Sequence, residues 1–370
     1  MIVFVRSYLC DYDARINKFF SSLDAKGHSY AFIGWARGGA IYEPHARKII
    51  YRTDAPLGAR WRNLFAMLMW QIFIFRTLLA LRRRTLIVQC VDLDTALVGY
   101  FFCLLFGKKF VFDIYDQYSS SRGFTGLPAC VMNRLETALT RRAALCIVAA
   151  PERLEQHCLD PVRDTPLVLE NVPPLDLPPV PLPEFEDVVD IGFFGVLERQ
   201  HRGIETLLAL CDRHPGKVRL HIAGYGALQE MVALHAQSNP SVMFYGPLSS
   251  REGLELMQRM HVIAGLYHLS NPNHKYAAPN KYYEHLMLGR GLLTTRDTPP
   301  GKRVTRLRTG WALDEGLIPL ERWLKHINVD ELRDRAERAR MIWNNQYQNY
   351  LQEYYMAHYE KRITELLREV

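Results

Sequence analysis

Residues 278–295 read Ala278-Pro279-Asn280-Lys281-Tyr282-Tyr283-Glu284-His285-Leu286-Met287-Leu288-Gly289-Arg290-Gly291-Leu292-Leu293-Thr294-Thr295. Proline is tolerated in a first helical turn and asparagine is a good cap, so a helix starts at Pro279 or Asn280. Gly289 ends it, because glycine readily takes the left-handed conformation that closes helices. Lys281 and Glu284 then stand one turn apart on one face. Leu292–Thr295 follows as a short buried strand, which brings a lysine, a carboxylate and the free N–H groups of a helix start to the edge of a sheet. Lysine and N–H groups suit a phosphate, and a carboxylate suits a vicinal diol. The surrounding chain decides between this reading and an ordinary amphipathic helix.

Upstream, Val188–Phe194 is an apolar strand, and the segment from Gly195 to Leu208 runs through a loop into a helix. Glycine lets backbone N–H groups approach an anion, and Arg199 and Arg202 carry the charge to neutralise a diphosphate. Val218–Ala223 is a strand followed by Gly224-Tyr225-Gly226 and another helix. Val242–Leu248 is the next strand, and Ser249 caps a helix over 250–260 with Glu252 in the capping-box position. Val262–Tyr267 leads into a loop whose histidines, His268 and His274, read as solvated. Strands alternate with helices throughout, so this half is one Rossmann-like domain. Helices follow over 318–327, 330–345 and 347–367, where Trp343, Tyr350, Tyr354, Tyr355 and Tyr359 read as packing residues.

The first half opens in the same way. Ile2–Val5 is a strand, Ala14–Lys26 a helix closed by Gly27-His28, and Ser29–Gly34 a second strand, the order in which a doubly wound sheet begins. Strands at Thr85–Cys90 and Phe110–Asp113 each end in an acid-bearing loop, Asp92 and Asp94 after the first, Asp113 and Asp116 after the second. In a parallel sheet ligands bind beyond the carboxyl ends of the strands, so both loops point at one crevice. Further strands are expected at 144–150 and 167–173. Residues 173–183 hold six prolines, a stiff extended connector. The chain therefore divides into a first domain over 1–172, a linker over 173–186, a second domain over 187–345 and a terminal helix over 346–370.

At Pro279-Asn280-Lys281-x-x-Glu284-x-x-x-x-Gly289, then a basic residue and an apolar strand, the sequence resembles the donor-nucleotide helix of family 4-type GT-B glycosyltransferases of bacterial polysaccharide assembly. The Gly195–Ile204 element, Gly224-x-Gly226, the acid loops at 92–94 and 113–116, and Leu23-x-x-x-Gly27-His28 after Arg15 are similar to the family's other motifs. The resemblance implies two Rossmann-like doubly wound α/β domains facing a central cleft, with a C-terminal helix crossing back. It implies a nucleoside-diphosphate sugar donor held by Gly195, Arg199, Arg202, Gly224, Asn280, Lys281 and Glu284, with Glu284 on the ribose. The first domain would take a lipid-linked oligosaccharide or polysaccharide acceptor, with Arg15, Asp92 and Asp94 lining its side. An inverting transferase needs a base; Asp116 is the first candidate and Asp113 the second. The sequence departs from the family in three places, one being that the arginine usual nearer Gly195 is absent, so that Arg199 must substitute or Lys281 must carry more of the charge. Tyr276 stands where retaining members carry a glutamate, which leaves the stereochemistry open, and Arg202 stands where a lysine is usual. No cofactor and no metal ion are implied. A nucleotide-sugar epimerase of the same fold and a non-catalytic nucleotide-sugar-binding subunit of a membrane glycan complex are the alternative readings.

Of 370 residues, 48% are hydrophobic and 23% charged, which is globular rather than disordered. Seven cysteines are an odd number, scattered through apolar runs, and read as buried thiols of a reducing compartment. The start, Met1-Ile2-Val3-Phe4-Val5, reads as a strand and not as a signal peptide, so a cytoplasmic protein is expected. The net charge of +7 is uneven: residues 1–110 carry 16 Lys/Arg against 7 Asp/Glu. A basic first domain needs an anionic partner, and no nucleic-acid-binding signature is present. Residues 64–81 are the most apolar helix, with Arg60, Arg62 and Arg82-Arg83-Arg84 at its ends. It reads either as a core helix or as a helix lying in an anionic membrane interface, which would place the protein on the inner face of the cytoplasmic membrane.

Overall fold

Strands that are apolar along their whole length require cover on both faces, which crossover helices supply only to a parallel sheet. The computed structural model of the protein, which describes residues 1–37, 42–53, 60–175 and 177–369 with the side chains of Tyr12 and residues 60–63 left out, contains two such sheets. They belong to two units, Met1–Glu170 with Gln352–Val370, and Asn171–Leu351.

The first unit holds β1 (Ile2–Arg6), β2 (Tyr30–Arg37), β3 (Lys48–Thr53), β4 (Ile87–Val91), β5 (Lys109–Ile114), β6 (Leu145–Val148) and β7 (Leu167–Val168). Their order is β3-β2-β1-β4-β5-β6-β7, and every pairing is parallel. The intervening helices are α1 (Ala14–Ala25), α2 (Arg60–Leu81), α3 (Leu93–Phe106), α4 (Tyr118–Ser121), α5 (Gly126–Thr140) and α6 (Glu152–Gln156). Asp13 starts α1 by accepting from the N–H groups of Arg15 and Ile16. Along α2 every fourth residue, Ala66, Trp70, Ile74 and Leu78, is buried in the core beside Val3, Val5 and Phe102.

The second unit holds β8 (Val189–Phe194), β9 (Val218–Ala223), β10 (Val242–Phe244), β11 (Val262–Gly265), β12 (Gly291–Thr295) and β13 (Gly310–Leu313), in the order β10-β9-β8-β11-β12-β13. Its helices are α7 (Ile204–Arg213), α8 (Gln229–Ser238), α9 (Ser250–Met257), α10 (Asn280–Leu288), α11 (Pro299–Leu307), α12 (Leu317–His326) and α13 (Val329–Ile342). The capping box of Ser249 and Glu252 is present in both directions. The proline-rich stretch is fastened to this unit: Val172 and Leu177 are buried in its core. Gln258 donates to the Pro178 carbonyl, and Arg290 donates to those of Val180 and Pro181.

Two short edge strands are absent from the sequence reading. β3 is only half-buried along its length and β13 has four residues, so neither shows a buried-strand pattern. Gly310 is what lets β13 pair, since a Cβ there would meet the Leu292 carbonyl oxygen at 2.1 Å. Two of the cysteines expected to be buried, Cys130 and Cys158, are exposed.

The last helix, α14 (Ala357–Arg368), packs on α1 in the first unit. Tyr355 and Tyr359 are buried against Phe19, with ring centroids at 5.6 and 4.4 Å, and the Tyr359 hydroxyl donates to Gln89 Oε1 at 2.7 Å. Tyr354 is the exception among the aromatics read as packing, being exposed and stacked on His358. Replacing Tyr359 by Ala removes a buried ring and orphans a buried amide. It is expected to cost about 3–5 kcal/mol, read as a lower urea midpoint for unfolding.

Candidate functional site

Each sheet reverses direction beside its first strand. The second unit winds from β8 outward through β9 to β10, then returns to lay β11 on the other side of β8. Loops that diverge from two adjacent strand ends leave a crevice, which is where such sheets bind ligands. The residues that meet there are those of the quoted stretch. Helix α10 begins at Asn280 with Pro279 as its cap and closes at Gly289, whose φ is 61°. Among the described residues no side chain caps its start, and its first turn holds no acid. Tyr282 N–H is taken by the Pro279 carbonyl at 3.2 Å, and the N–H groups of Asn280 and Lys281 remain available to an anion.

Lys281 reaches back to donate to the Phe194 carbonyl at the end of β8 and lies 4.8 Å from the Phe193 ring centroid. Burial lowers its ammonium to about 8, and Glu284 opposes that shift. Glu284 is half-buried, and burial pushes its carboxyl up while Lys281 pulls it down. Among the described residues its carboxylate has no hydrogen-bond or ion-pair partner. The loops after β8 and β9 lie in contact that glycine alone allows: Gly224 has φ 144°, and a Cβ on it would sit 1.8 Å from the Gly195 carbonyl oxygen. A Cβ on Gly195 would come within 2.9 Å of Lys281 Nζ.

Arg202 donates from Nε to Glu198 at 3.1 Å, with its guanidinium 5.2 Å from the Tyr267 ring centroid, while Arg199 is exposed. Of the two loop histidines, His274 differs from its expected role. His274 is buried, donates from Nδ1 to the His268 carbonyl at 2.8 Å, and is held by burial at about 4. It therefore shapes the loop as a neutral ring. Sequence reading missed this, because a histidine in a polar loop carries no signal of burial.

In the first unit the reversal lies between β1 and β4, and the acids after β4 and β5 sort into different roles. Asp113 is fully buried and paired with Arg15 at 3.0 Å, and Arg15 also donates to the Leu169 carbonyl at 2.6 Å. This pair holds α1, β5 and the end of the unit together. Asp116 is half-exposed and bound to Arg153 at 2.5 Å. Asp94 is buried beside Arg122 at 3.6 Å. Asp92 precedes α3 with φ 59° and ψ 167°, a region nearly closed to residues other than glycine. Its side chain does not cap α3; Oδ1 accepts from the Tyr115 N–H at 3.0 Å, and among the described residues Oδ2 has no partner. Burial, reinforced by the neighbouring charge of Asp94, raises its carboxyl to about 7.

No protein-family profile matches the chain, and no curated protein matches it by sequence. Solved structures do match along its whole length. Sucrose-phosphate synthase from Thermosynechococcus elongatus superposes with a TM-score of 0.70 at 14% identity, covering 100% of this chain and 99% of its own. HepE of Anabaena in complex with UDP and glucose gives 0.68 at 13%, with 100% and 99% covered. WaaG, a glycosyltransferase involved in lipopolysaccharide biosynthesis, gives 0.65 at 13%, with 96% and 98% covered. The chain has the GT-B fold.

Within this GT-B chain, Gly195, Gly224, Asn280, Lys281 and Glu284 come together at the β8 reversal. Arg202 stands beside them, held to Glu198, and Arg199 points to solvent. Arg15 and Asp113 do not line an open face, as the sequence suggested; they neutralise each other inside the unit, because two charges that far from water must pair. Asp92 binds the Tyr115 N–H through Oδ1, and among the described residues its Oδ2 has no hydrogen-bond partner.

Lys281 yields a pH test. Its lowered folded value means that the unfolded chain binds more protons between about pH 8 and 10.5, so folding stability rises with pH across that window. The rise should be about 2 kcal/mol smaller in Lys281→Met than in the native chain, measured by urea titrations at pH 8 and 10.5.

Proposed function

We propose that the protein is a glycosyltransferase that moves a sugar from a nucleoside-diphosphate sugar to a hydroxyl of a lipid-linked or polysaccharide acceptor. The pathway would be bacterial surface or exopolysaccharide synthesis, at the cytoplasmic face of an anionic membrane. One observation carries the donor assignment. Among the described residues no side chain caps the start of α10, Lys281 lies inside it, and the Glu284 carboxylate has no hydrogen-bond partner, which is a cradle for a diphosphate and a ribose diol. The HepE structures hold UDP and UDP-glucose, which supports testing a uridine donor first.

In this reading the acceptor oxygen attacks the anomeric carbon as the bond from that carbon to the diphosphate oxygen breaks. The electron pair leaves on the diphosphate, whose growing charge Lys281 and the α10 N–H groups stabilise. Arg202 adds to that field, and Arg199 closes over the outer phosphate. No metal or cofactor is needed, because these cations supply the positive charge. An inverting reaction also requires a base for the acceptor proton, and Asp92 fits that task better than Asp116 or Asp113. Its Oδ2 is unpaired, and its carboxyl is poised near neutrality, where a base both accepts and releases a proton.

UDP should raise the melting temperature of the protein more than GDP, ADP or CMP, and Glu284→Ala should abolish the rise. Indifference to every nucleotide, or a shift that survives Glu284→Ala, would remove the donor site and favour a scaffold. The base is tested separately. Asp92→Asn should lower sugar transfer by roughly 10²–10⁴ while leaving the UDP shift intact. Asp92→Gly should raise folding stability by about 1 kcal/mol, because it relieves a strained backbone.

A further inference from the structure

α2, α3 and α5 lie side by side, α2 packed on α3 and α3 on α5, and their outer faces are apolar. Only 22% of Leu64–Leu81 is buried, far too little for a core helix. Phe65 is 64% exposed and Leu68 55% on α2, Phe101 and Leu104 are 52% and 66% exposed on α3, and Leu127 is 77% exposed on α5. An apolar surface continuous over three helices is unusual on a soluble protein and marks an interaction site.

We infer that the outer faces of α2, α3 and α5 form one docking surface that lies flat in the interface of a bilayer containing anionic lipid. The argument for that occupant is charge. The three helices carry two acidic residues, Asp94 and Glu136, and both are buried. The exposed charges around them are basic: Arg76 and Arg134 within the helices, and Arg82, Arg83 and Arg84 directly after α2. Lys108 follows α3. Leu86 N–H donates to the Met1 carbonyl and Lys109 N–H to that of Leu86, so the two basic ends meet at the amino edge of the sheet. A bilayer offers acyl chains to the leucines and phenylalanines and phosphates to the arginines together. The surface does not mark a membrane span. Trp70, Ile74 and Leu78 are fully buried in the core, and the Trp70 indole donates to Ser7 at 2.8 Å, so α2 cannot leave the unit without opening it.

This inference rests on the proposed membrane-bound acceptor, but its test does not use the donor site. Full-length protein is sedimented with vesicles of phosphatidylcholine alone and with 30% phosphatidylglycerol, beside a Phe65→Glu/Leu104→Glu variant and a variant with Arg82, Arg83 and Arg84 each changed to Ser. The expected result is binding to the anionic vesicles, lowered about a hundredfold by the arginine changes and lost in the Glu variant. Circular dichroism and the UDP melting shift should be unchanged in both, which separates failure here from failure of the glycosyltransferase reading. Absence of binding to anionic vesicles, or binding indifferent to the Glu changes, would overturn the proposal. So would a native dimer that the Glu changes dissociate, since the surface would then belong to a second copy.

Discussion

Right-handed crossovers force a parallel sheet to wind outward from its first strand and then come back to that strand's other side. Everything else in this protein is arranged around the two reversals that follow, beside β1 and beside β8. At each, loops from neighbouring strands part, and the backbone groups at the strand ends have no neighbour on the next strand. In the second unit the Phe194 carbonyl at the end of β8 is met by a lysine from α10. In the first unit the end of β4 is met by the strained Asp92 and the Tyr115 N–H. Neither arrangement is the least costly that the chain had open to it. A serine cap before α10 and a glycine before α3 would each be more stable locally.

The contrast with the structural acids is instructive. Asp190 accepts from both Arg219 nitrogens at 2.6 and 2.8 Å and lies beside His221 and His261, which together hold its carboxyl far below the usual range. Asp13 caps α1 and accepts from the Tyr115 hydroxyl. Asp113 is saturated by Arg15. Of these, Asp190 is held as an anion by its partners, whereas Asp113 is paired yet burial still pushes its carboxyl up. Glu284 and Asp92 are half-buried, and burial pushes both carboxyls up against the pull of Lys281 on Glu284 and of Arg6 and the Tyr115 N–H on Asp92. Under the proposed function, a raised carboxyl with an unbonded oxygen would be the one to meet a hydroxyl group.

Helix α10 was legible in the sequence because local rules fix it: a proline start, a glycine stop and a one-turn spacing survive any tertiary context. The alternation of strands and helices was legible for the same reason, and with it the Rossmann-like character of both halves; the GT-B fold was implied by the resemblance of the motifs. The acids were not. Asp92, Asp94, Asp113 and Asp116 sit in similar loops after similar strands, and what separates them is the partner that each meets from elsewhere in the chain: the Tyr115 N–H, Arg122, Arg15 and Arg153. Distances of 98 residues, as between Arg15 and Asp113, leave no trace in local pattern. The α3 surface was hidden for the opposite reason. Leu93–Phe106 is apolar all round, and such a helix reads as core; its exposure depends on the sheet offering it one face to cover while, among the described residues, Phe101 and Leu104 are left exposed on the other.

The position of that surface bears on how the acids could work. Helix α3 begins at Leu93, one residue after Asp92, and runs from the carboxyl edge of the sheet back toward the amino edge. Its outer side and Asp92 are therefore separated by no more than about one helix diameter, roughly 10–12 Å. If α2, α3 and α5 lie in the interface, the carboxyl edge of the first sheet stands just above the headgroups, with the basic run of Arg82–Arg84 at the other edge anchoring it. A lipid-linked sugar projects its hydroxyls over the same height. The apolar helices and the acid loops, which the sequence presents as separate features, then act as one device: the first fixes the distance from the lipid surface at which the second meets an acceptor.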